Sequence, residues 1–304
     1  FNLYTNNWDK KTLLKSKITE SSLPNIASTK MNFSKLTEPY KQQFPSFDNI
    51  PWFMPIADGF AATIGSNCIS DKDATITVGS TTSMRFITEK KNIAIPDGLW
   101  KYKCYENTFV MGGSLTEGGN NLLWLSKIFD LDFNNDKHIP ELIKNYVPGK
   151  HGLSVLPFIS GERAPGWNPR ATGSIFGINY ATNKYDILIS TLESICYRLL
   201  YVKNKINEIN QNYDFIISGG VIDLIPDYPQ MLADVLGKKI IIKDLKEATL
   251  KGGAILALRT LGFWGSFKDK DSKIIKILKP NLNKNKQHKK LFDEHDNFYN
   301  KTIV

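Results

Sequence analysis

The sequence predicts an α/β layered domain, a mixed sheet flanked by helices. Three observations lead there. Short β-branched and aromatic runs follow one another between residues 74 and 111, separated by turn residues. From residue 155 onward, strand-like apolar runs alternate with stretches whose apolar residues recur at helical spacing. The longest of these, Tyr185 to Ile209, carries Ile187, Leu188, Leu192, Ile195, Leu199 and Val202 on one stripe, which marks a helix packed on a core.

In chain order, residues 1–50 are polar, with Ser, Asn, Lys and Thr in excess. A short helix is expected over Lys10 to Leu14 and a turn at Leu23-Pro24-Asn25-Ile26. No apolar face in this stretch is broad enough for a core of its own, so it is expected to pack on something else. The chain opens FNLYTNNWD, which reads as the middle of a longer polypeptide. At Ile56 the texture changes: Phe60 to Ile64 begins a short helix, followed by strands over Ala74 to Val78, Met84 to Thr88, Trp100 to Tyr105 and Thr108 to Met111. Joined by tight turns, these make a meander. Gly112-Gly113 and Gly118-Gly119 are expected to bracket a polar turn before a helix over Asn120 to Phe129, with a second short helix at Ile139 to Tyr146.

Val155 to Ile159 is a buried-strand pattern leading into the Gly- and Pro-rich loop Gly161 to Gly173, where Glu162 and Arg163 are expected to form an internal ion pair holding the loop and Trp167 is expected to pack, and Ser174 to Ile178 is another strand. After the long helix, Phe215-Ile216-Ile217 is a strand that ends in Ser218-Gly219-Gly220. Pro229 to Leu236 is a helix, Lys239 to Ile242 a strand, and Thr249 to Leu261 a helix running through Gly252-Gly253. Lys268 to Val304 is basic and partly helical.

Composition bounds the function. A chain of 304 residues with 41% hydrophobic and 23% charged residues can bury a sizeable core. The net charge of +9 is spread among Asn and Asp, and the densest basic run, Lys284 to Lys290, lies near the end. That pattern reads as a solvated surface and not a nucleic-acid groove, though the field would favour an anionic substrate. Cys68, Cys104 and Cys196 are scattered and form no metal spacing, which fits reduced thiols in a cytoplasmic protein. No apolar run approaches the length that spans a bilayer.

The stretch that carries chemistry is Ile56 to Met84. Asp58 is an acid among small residues, Ala57, Gly59, Ala61, Ala62 and Gly65, which let a ligand and a backbone come close. The turn Gly79-Ser80-Thr81-Thr82-Ser83 follows a strand and offers N–H groups and hydroxyls suited to phosphate oxygens. An Asp-Gly pair alone is as readily a plain turn, and a Gly/Ser/Thr turn alone a hairpin. Order and neighbours decide between these readings.

Four pieces in order, IADGFAATIGSN with TVGSTTSM, then MGGSLTEGGNNLLWL, then LPFISGERAPGWNPRATGSIFGI, then ISGGVIDLIPDYPQMLADVLG with EATLKGGAILAL, resemble the FGGY carbohydrate kinases. Within the third, Gly173, Ile175, Gly177 and Ile178, followed by Asp186-Ile187 and by Ser190, Thr191, Leu192 and Glu193, match that family's second signature. The resemblance implies an actin-like, ribonuclease-H-like ATPase fold. It implies that residues 1–55 are the end of a first, sugar-binding domain, and residues 56–304 the second, nucleotide-binding domain.

By the same resemblance Asp58 is the catalytic base, taking the proton of the sugar hydroxyl that attacks the γ-phosphate of ATP. Gly79 and Ser80 meet the phosphates, and Thr81 adds a hydroxyl. Gly119 lies against the nucleotide, and Gly219 and Gly220 let the adenosine approach the backbone. Mg²⁺ is expected to bridge the phosphates near Asp58, with no metal ligand assigned to the chain itself. Leu224, where relatives often carry Asn or Ser, and Leu123, where some carry Gln, depart from the pattern.

The wording GERAPGWNP with CYRL is closest to gluconokinase-like members, with xylulose kinases next. The implied partners are ATP and a sugar or sugar acid, with neither nucleic acid nor membrane, and a homodimer is compatible. With the other phosphate loop and most of the sugar site in the first domain, this half alone is expected to be inactive. A non-catalytic actin-like module is the reading from a different class.

Overall fold

The computed structural model describes residues 1–267 and 272–303. Its elements, in chain order, are α1 (Lys10–Ser16), β1 (Asn32–Phe33), α2 (Tyr40–Gln43), β2 (Trp52–Phe53), α3 (Asp58–Gly65), β3 (Asp73–Val78), β4 (Thr82–Thr88), β5 (Trp100–Tyr105), β6 (Thr108–Leu115), α4 (Gly119–Phe129) and α5 (His138–Lys144). There follow β7 (Ser154–Leu156), β8 (Ser174–Phe176), α6 (Lys184–Asn207), β9 (Asp214–Ser218), α7 (Gly220–Leu224), α8 (Tyr228–Leu236), β10 (Ile240–Lys243), α9 (Ala248–Thr260), β11 (Ile274–Leu278) and α10 (Leu282–Thr302).

A mixed seven-stranded sheet in the order β11-β10-β9-β3-β4-β6-β5 organises the chain. β9 runs parallel to both β3 and β10, and the other pairings are antiparallel. Alternation along β4 shows how the two faces are filled. Met84 and Phe86 join the larger core with Leu188, Leu192 and Leu199 of α6 and with Leu122 and Leu125 of α4. Ile87, one residue out of phase, joins Phe60 and Ile64 of α3 and Ile255 and Leu256 of α9 on the other face.

The second face is held by unusually close backbone contact. A Cβ placed on Gly65 would lie 1.8 Å from the Ala248 carbonyl oxygen, and one on Gly252 would lie 1.8 Å from the Ala61 carbonyl oxygen. α3 and α9 therefore touch backbone to backbone, and each glycine is where the partner's carbonyl sits. The small residues expected to make room for a ligand beside Asp58 serve, at Ala61 and Gly65, to make room for α9.

On the opposite face α6 is buried along most of its length, and α10 packs across it and α8. Arg198 of α6 and Glu162 of the 161–173 loop form a buried ion pair, to which the Tyr299 hydroxyl donates at 2.8 Å. The rings of Phe158, Tyr201 and Tyr299 surround the guanidinium. An ion pair of Glu162 with Arg163 was the sequence expectation. The structure gives Glu162 to Arg198 instead, because the loop turns Arg163 out to solvent. Trp167, expected to pack, is 47% exposed and anchors the loop through its indole N–H, which donates to the Gly98 carbonyl at 2.7 Å.

Other boundaries moved as well. Gly112 and Gly113 lie inside β6, not in a turn, since their missing side chains admit the Met84 carbonyl and Val202. The expected strand over Val155 to Ile159 contracts to Ser154–Leu156. β11, unforeseen, adds an antiparallel edge beside β10 within the basic C-terminal stretch, while residues 268–271 and 304 of that stretch lie outside the described residues. Residues 1–55 contain no buried residue and touch the rest through Lys103 to Asn6 and the Lys30–Glu106 ion pair. Among the described residues, no helix is long and apolar enough to cross a membrane.

Two stability predictions follow from this packing. Gly252→Ala should destabilise the intact protein by about 3 kcal/mol, since overpacking against a backbone carbonyl has no flexible side chain to yield. Gly253→Ala, whose Cβ meets nothing within 4 Å, should be neutral or stabilise by up to about 1 kcal/mol through helix propensity. Denaturant midpoints of the two variants, measured side by side, check the pair.

The second concerns pH. Burial, helped by repulsion from Arg198, pushes the His295 imidazole from 6.5 down to about 3. The unfolded chain therefore takes up a proton below about pH 6.5 that the native state refuses, so stability should fall on acidification by up to about 1.4 kcal/mol per pH unit. His288, also lowered by burial, adds to the same trend. Because His295 Nε2 is buried without a hydrogen-bond partner, His295→Phe should fold and flatten that slope; a slope unchanged by the substitution refutes the assignment.

Candidate active site

The C-terminal ends of parallel β3 and β9 point to the same side of the sheet, where ligands of open α/β sheets bind. Three glycine-bearing corners meet there. The first is the turn from β3 to β4. It is closed by the Gly79 N–H donating to the Thr81 carbonyl at 3.0 Å, and it puts Ser80 and Thr81 at an exposed tip. Thr82 and Ser83, read from sequence as part of the turn, already belong to β4.

The second corner is the entry to α4. Gly119 N–H donates to the Gly79 carbonyl at 2.7 Å and Asn120 N–H to the Ser80 carbonyl at 3.0 Å. Two of the amides that a helix N-terminus would offer to an anion are thus committed to the turn. The Gly118-Gly119 pair is fitted against it, and a Cβ on either would come within 2.9 Å of the Gly79 carbonyl oxygen. The third corner joins β9 to α7. Gly219 has φ 117°, and its Cβ would lie 2.4 Å from the Val78 carbonyl oxygen, so it is glycine for conformation and space alike. Gly220 differs: a Cβ there would meet nothing within 4 Å, so it faces open space.

Thus Gly79, Ser80, Thr81, Gly119, Gly219 and Gly220 converge. Gly79, Gly119 and Gly219 shape the corner, while Ser80, Thr81 and Gly220 face outward. The two departures fall differently. Leu224 packs against the main core, and Leu123 is 55% exposed on α4.

Asp58 opens α3 and is exposed, its Oδ1 accepting from the Gly59 N–H at 2.5 Å. What ties it to the glycine corners is Arg85. This side chain stands on β4 on the same face as Ser83, donates through Nη1 to the Gly59 carbonyl at 3.1 Å, and donates through Nη2 to the Ser83 hydroxyl. The Gly59 carbonyl also receives the Thr63 hydroxyl at 2.7 Å. The first turn of α3 and the start of β4 are thereby held by one guanidinium. Burial lowers the Arg85 pKa, with Tyr102 and Asp58 opposing the shift. Burial likewise pushes the Tyr102 hydroxyl up to about 12.

Sequence reasoning missed two charged groups here. Arg85 follows the turn at a strand position where parity put it on the helix-covered face, and that parity was the available signal. Glu117, directly before Gly118, is buried, and burial raises its pKa. The Thr116 hydroxyl lies 2.7 Å from Glu117 Oε1 and 2.6 Å from the Gly161 carbonyl. The Thr116 hydroxyl donates in the first of these contacts and so opposes the effect of burial on Glu117. Among the described residues, no cluster of three or more His, Cys, Asp or Glu side chains could hold a metal ion.

The profile of the FGGY family of carbohydrate kinases, C-terminal domain, matches residues 74–261. A gluconokinase of Bacillus licheniformis is 26% identical over 276 residues, covering 88% of this chain and 54% of its own. A ligand-bound xylulose kinase from Lactobacillus acidophilus superposes with a TM-score of 0.88 at 22% identity, over 98% of this chain and 61% of its own. A Plasmodium falciparum glycerol kinase solved with ADP gives 0.82 at 24% identity, over 100% of this chain and 61% of its own. The chain spans about half the length of the gluconokinase it matches. The structural likeness establishes the fold, the α/β, actin-like ATPase fold expected from the sequence.

Proposed function

The chain belongs to the FGGY family of carbohydrate kinases, and on that premise we propose that the polypeptide containing it transfers the γ-phosphoryl group of ATP to a hydroxyl of a sugar or sugar acid, gluconate first. One observation carries this reading: three glycine corners meet at the ends of β3 and β9, and Arg85 fixes Asp58 to the strand that leaves them. The gluconokinase relative supports gluconate, and the xylulose kinase likeness makes a ketopentose the second acceptor to try.

In this reading Asp58 accepts the proton of the acceptor hydroxyl while that oxygen forms its bond to the γ-phosphorus and the bond to the β-bridging oxygen breaks. An exposed carboxylate at the start of α3 can reach an incoming hydroxyl, and the carbonyl of the next residue, Gly59, is held by both Arg85 and Thr63. Exposed hydroxyls at Ser80 and Thr81 suit phosphate oxygens, and the open space over Gly220 suits the adenosine. The residues present therefore fit a nucleotide. Mg²⁺ supplies neutralisation of phosphate charge when bound. With no cluster among the described residues to cage it, the phosphates and Asp58 would hold it.

Residues 1–55 fit the end of a sugar-binding domain. Tyr4, Leu14, Phe33, Tyr40, Phe47 and Trp52 are exposed apolar side chains, which a preceding domain would cover. We place the protein in the cytosol, where ATP is available and its three buried thiols stay reduced.

Asp58→Asn in the full-length protein should lower kcat by about 10²- to 10⁴-fold with the ATP affinity kept; activity within a few-fold of wild type removes Asp58 from the role of base. Gly220→Ala should leave the thermal midpoint unchanged, since its Cβ meets open space, yet weaken nucleotide binding, read by calorimetric titration with ADP. An unchanged ADP affinity would move the adenosine elsewhere.

A further inference from the structure

Arg85 is half-buried and carries a charge that no acid neutralises directly. Among the described residues its two hydrogen bonds go to neutral oxygens, the Gly59 carbonyl and the Ser83 hydroxyl, and it forms no ion pair. A guanidinium has five N–H donors, so several remain for another acceptor. Asp58 is a nearby acid whose charge favours the cation, but among the described residues no hydrogen bond joins the two, and a largely desolvated cation gains from a directly bonded anion.

The guanidinium lies against the first turn of α3, beside the proposed base. A Cβ on Gly59 would lie 3.2 Å from Arg85 Cζ and 3.3 Å from Nε, so the guanidinium rests flat on the residue next to Asp58. Across the sheet Arg85 pairs with Gly112, and Gly112 with Trp100, which puts the three in one row on one face. The middle position has no side chain. Beyond it the indole of Trp100 is stacked on Tyr102 with ring centroids 5.0 Å apart, and both are half-exposed. A cation, a position without a side chain that is backed by the Met84 carbonyl, and a flat aromatic surface thus follow one another beside the proposed base.

We propose that Arg85 is a specificity-determining residue: its guanidinium receives the carboxylate of a sugar-acid acceptor whose hydroxyl is presented to Asp58. The inference rests on the kinase reading above and names the acceptor class within it. The guanidinium suits a carboxylate because it can donate two parallel N–H bonds, a geometry that a lysine ammonium does not reproduce. Burial, which already disfavours the bare cation, strengthens its attraction to an anion that enters.

The test compares D-gluconate with D-glucitol, which differ only in a carboxylate against a hydroxymethyl group, using the full-length protein. Wild type should favour gluconate in kcat/KM. Arg85→Met, which also releases the Gly59 carbonyl and so lowers kcat for both acceptors, should in addition raise the KM for gluconate about 10- to 100-fold, the loss expected of a charge-assisted contact, while the KM for glucitol and for ATP stays near wild type. Arg85→Lys should recover part of the gluconate KM and, as it keeps the charge under α3, guards against mistaking misfolding for lost recognition. Equal KM changes for both acceptors would assign Arg85 to the phosphoryl group or to holding α3, and would overturn the proposal. So would a wild-type enzyme that prefers glucitol or a ketopentose, an outcome that leaves the kinase reading standing. A folded full-length protein that phosphorylates none of these acceptors overturns both.

Discussion

The contact on which the site depends is between two helix backbones. Gly65 against the Ala248 carbonyl and Gly252 against the Ala61 carbonyl bring α3 and α9 closer than any side chain would allow. Interaxial distances follow the residues at the crossing, so glycine at both contacts sets the depth at which α3 sits on the sheet. That depth lets Arg85, rising from β4, reach the Gly59 carbonyl. Asp58 is therefore positioned by a chain of contacts that starts on the far side of its own helix. Phe60 and Ile64 supply the apolar adhesion, but the glycines set the distance.

The opposite face is organised by a different kind of constraint. Arg198, Glu162 and Tyr299 bury charge among aromatic rings, and the loop 161–173, α6 and α10 are pinned together by that cluster. Thr116 then links the same loop to Glu117, and so to the entry of α4. The glycine corners are thus supported from below by polar contacts and from the side by close packing. Their outward groups, at Ser80, Thr81 and Gly220, face away from the fold.

Most of the architecture was legible because β-branched and aromatic runs are set off by turn residues and the stripe of α6 keeps a helical period. The strands at 74–78, 84–88 and 100–105 and α6 appear where expected, with β3 and β4 buried on both faces. What escaped had a physical reason. Gly112 and Gly113 looked like turn residues because glycine is the usual turn former, but here it admits neighbours into a strand interior. β11 is an edge strand with Ile275 and Lys276 exposed, so it lacks the buried alternation that marks a central strand. Glu162 beside Arg163 suggested a local pair, whereas the true partner lies on α6, a separation that no local pattern encodes. Arg85 was invisible as a site residue for the same reason. Its meaning comes from Gly59, which sequence places far from it and the sheet places against it.

The division of labour among the glycines also bears on how half of a cleft can be built. Where a Cβ would strike backbone, as at Gly65, Gly219 and Gly252, the residue is required by the fold itself and says nothing about a ligand. Where a Cβ would meet open space, as at Gly220, the fold does not require glycine, and close approach by something outside the chain becomes the physical reason for it. Applied to the acid, the same reasoning separates Asp58 from its setting. Gly59 lies close under the Arg85 guanidinium and Gly65 is required by Ala248, whereas the Asp58 carboxylate is exposed and, among the described residues, hydrogen-bonds only its neighbouring N–H. A carboxylate so firmly supported through its backbone and so little engaged by its side chain is suited to meet a group that arrives from solvent.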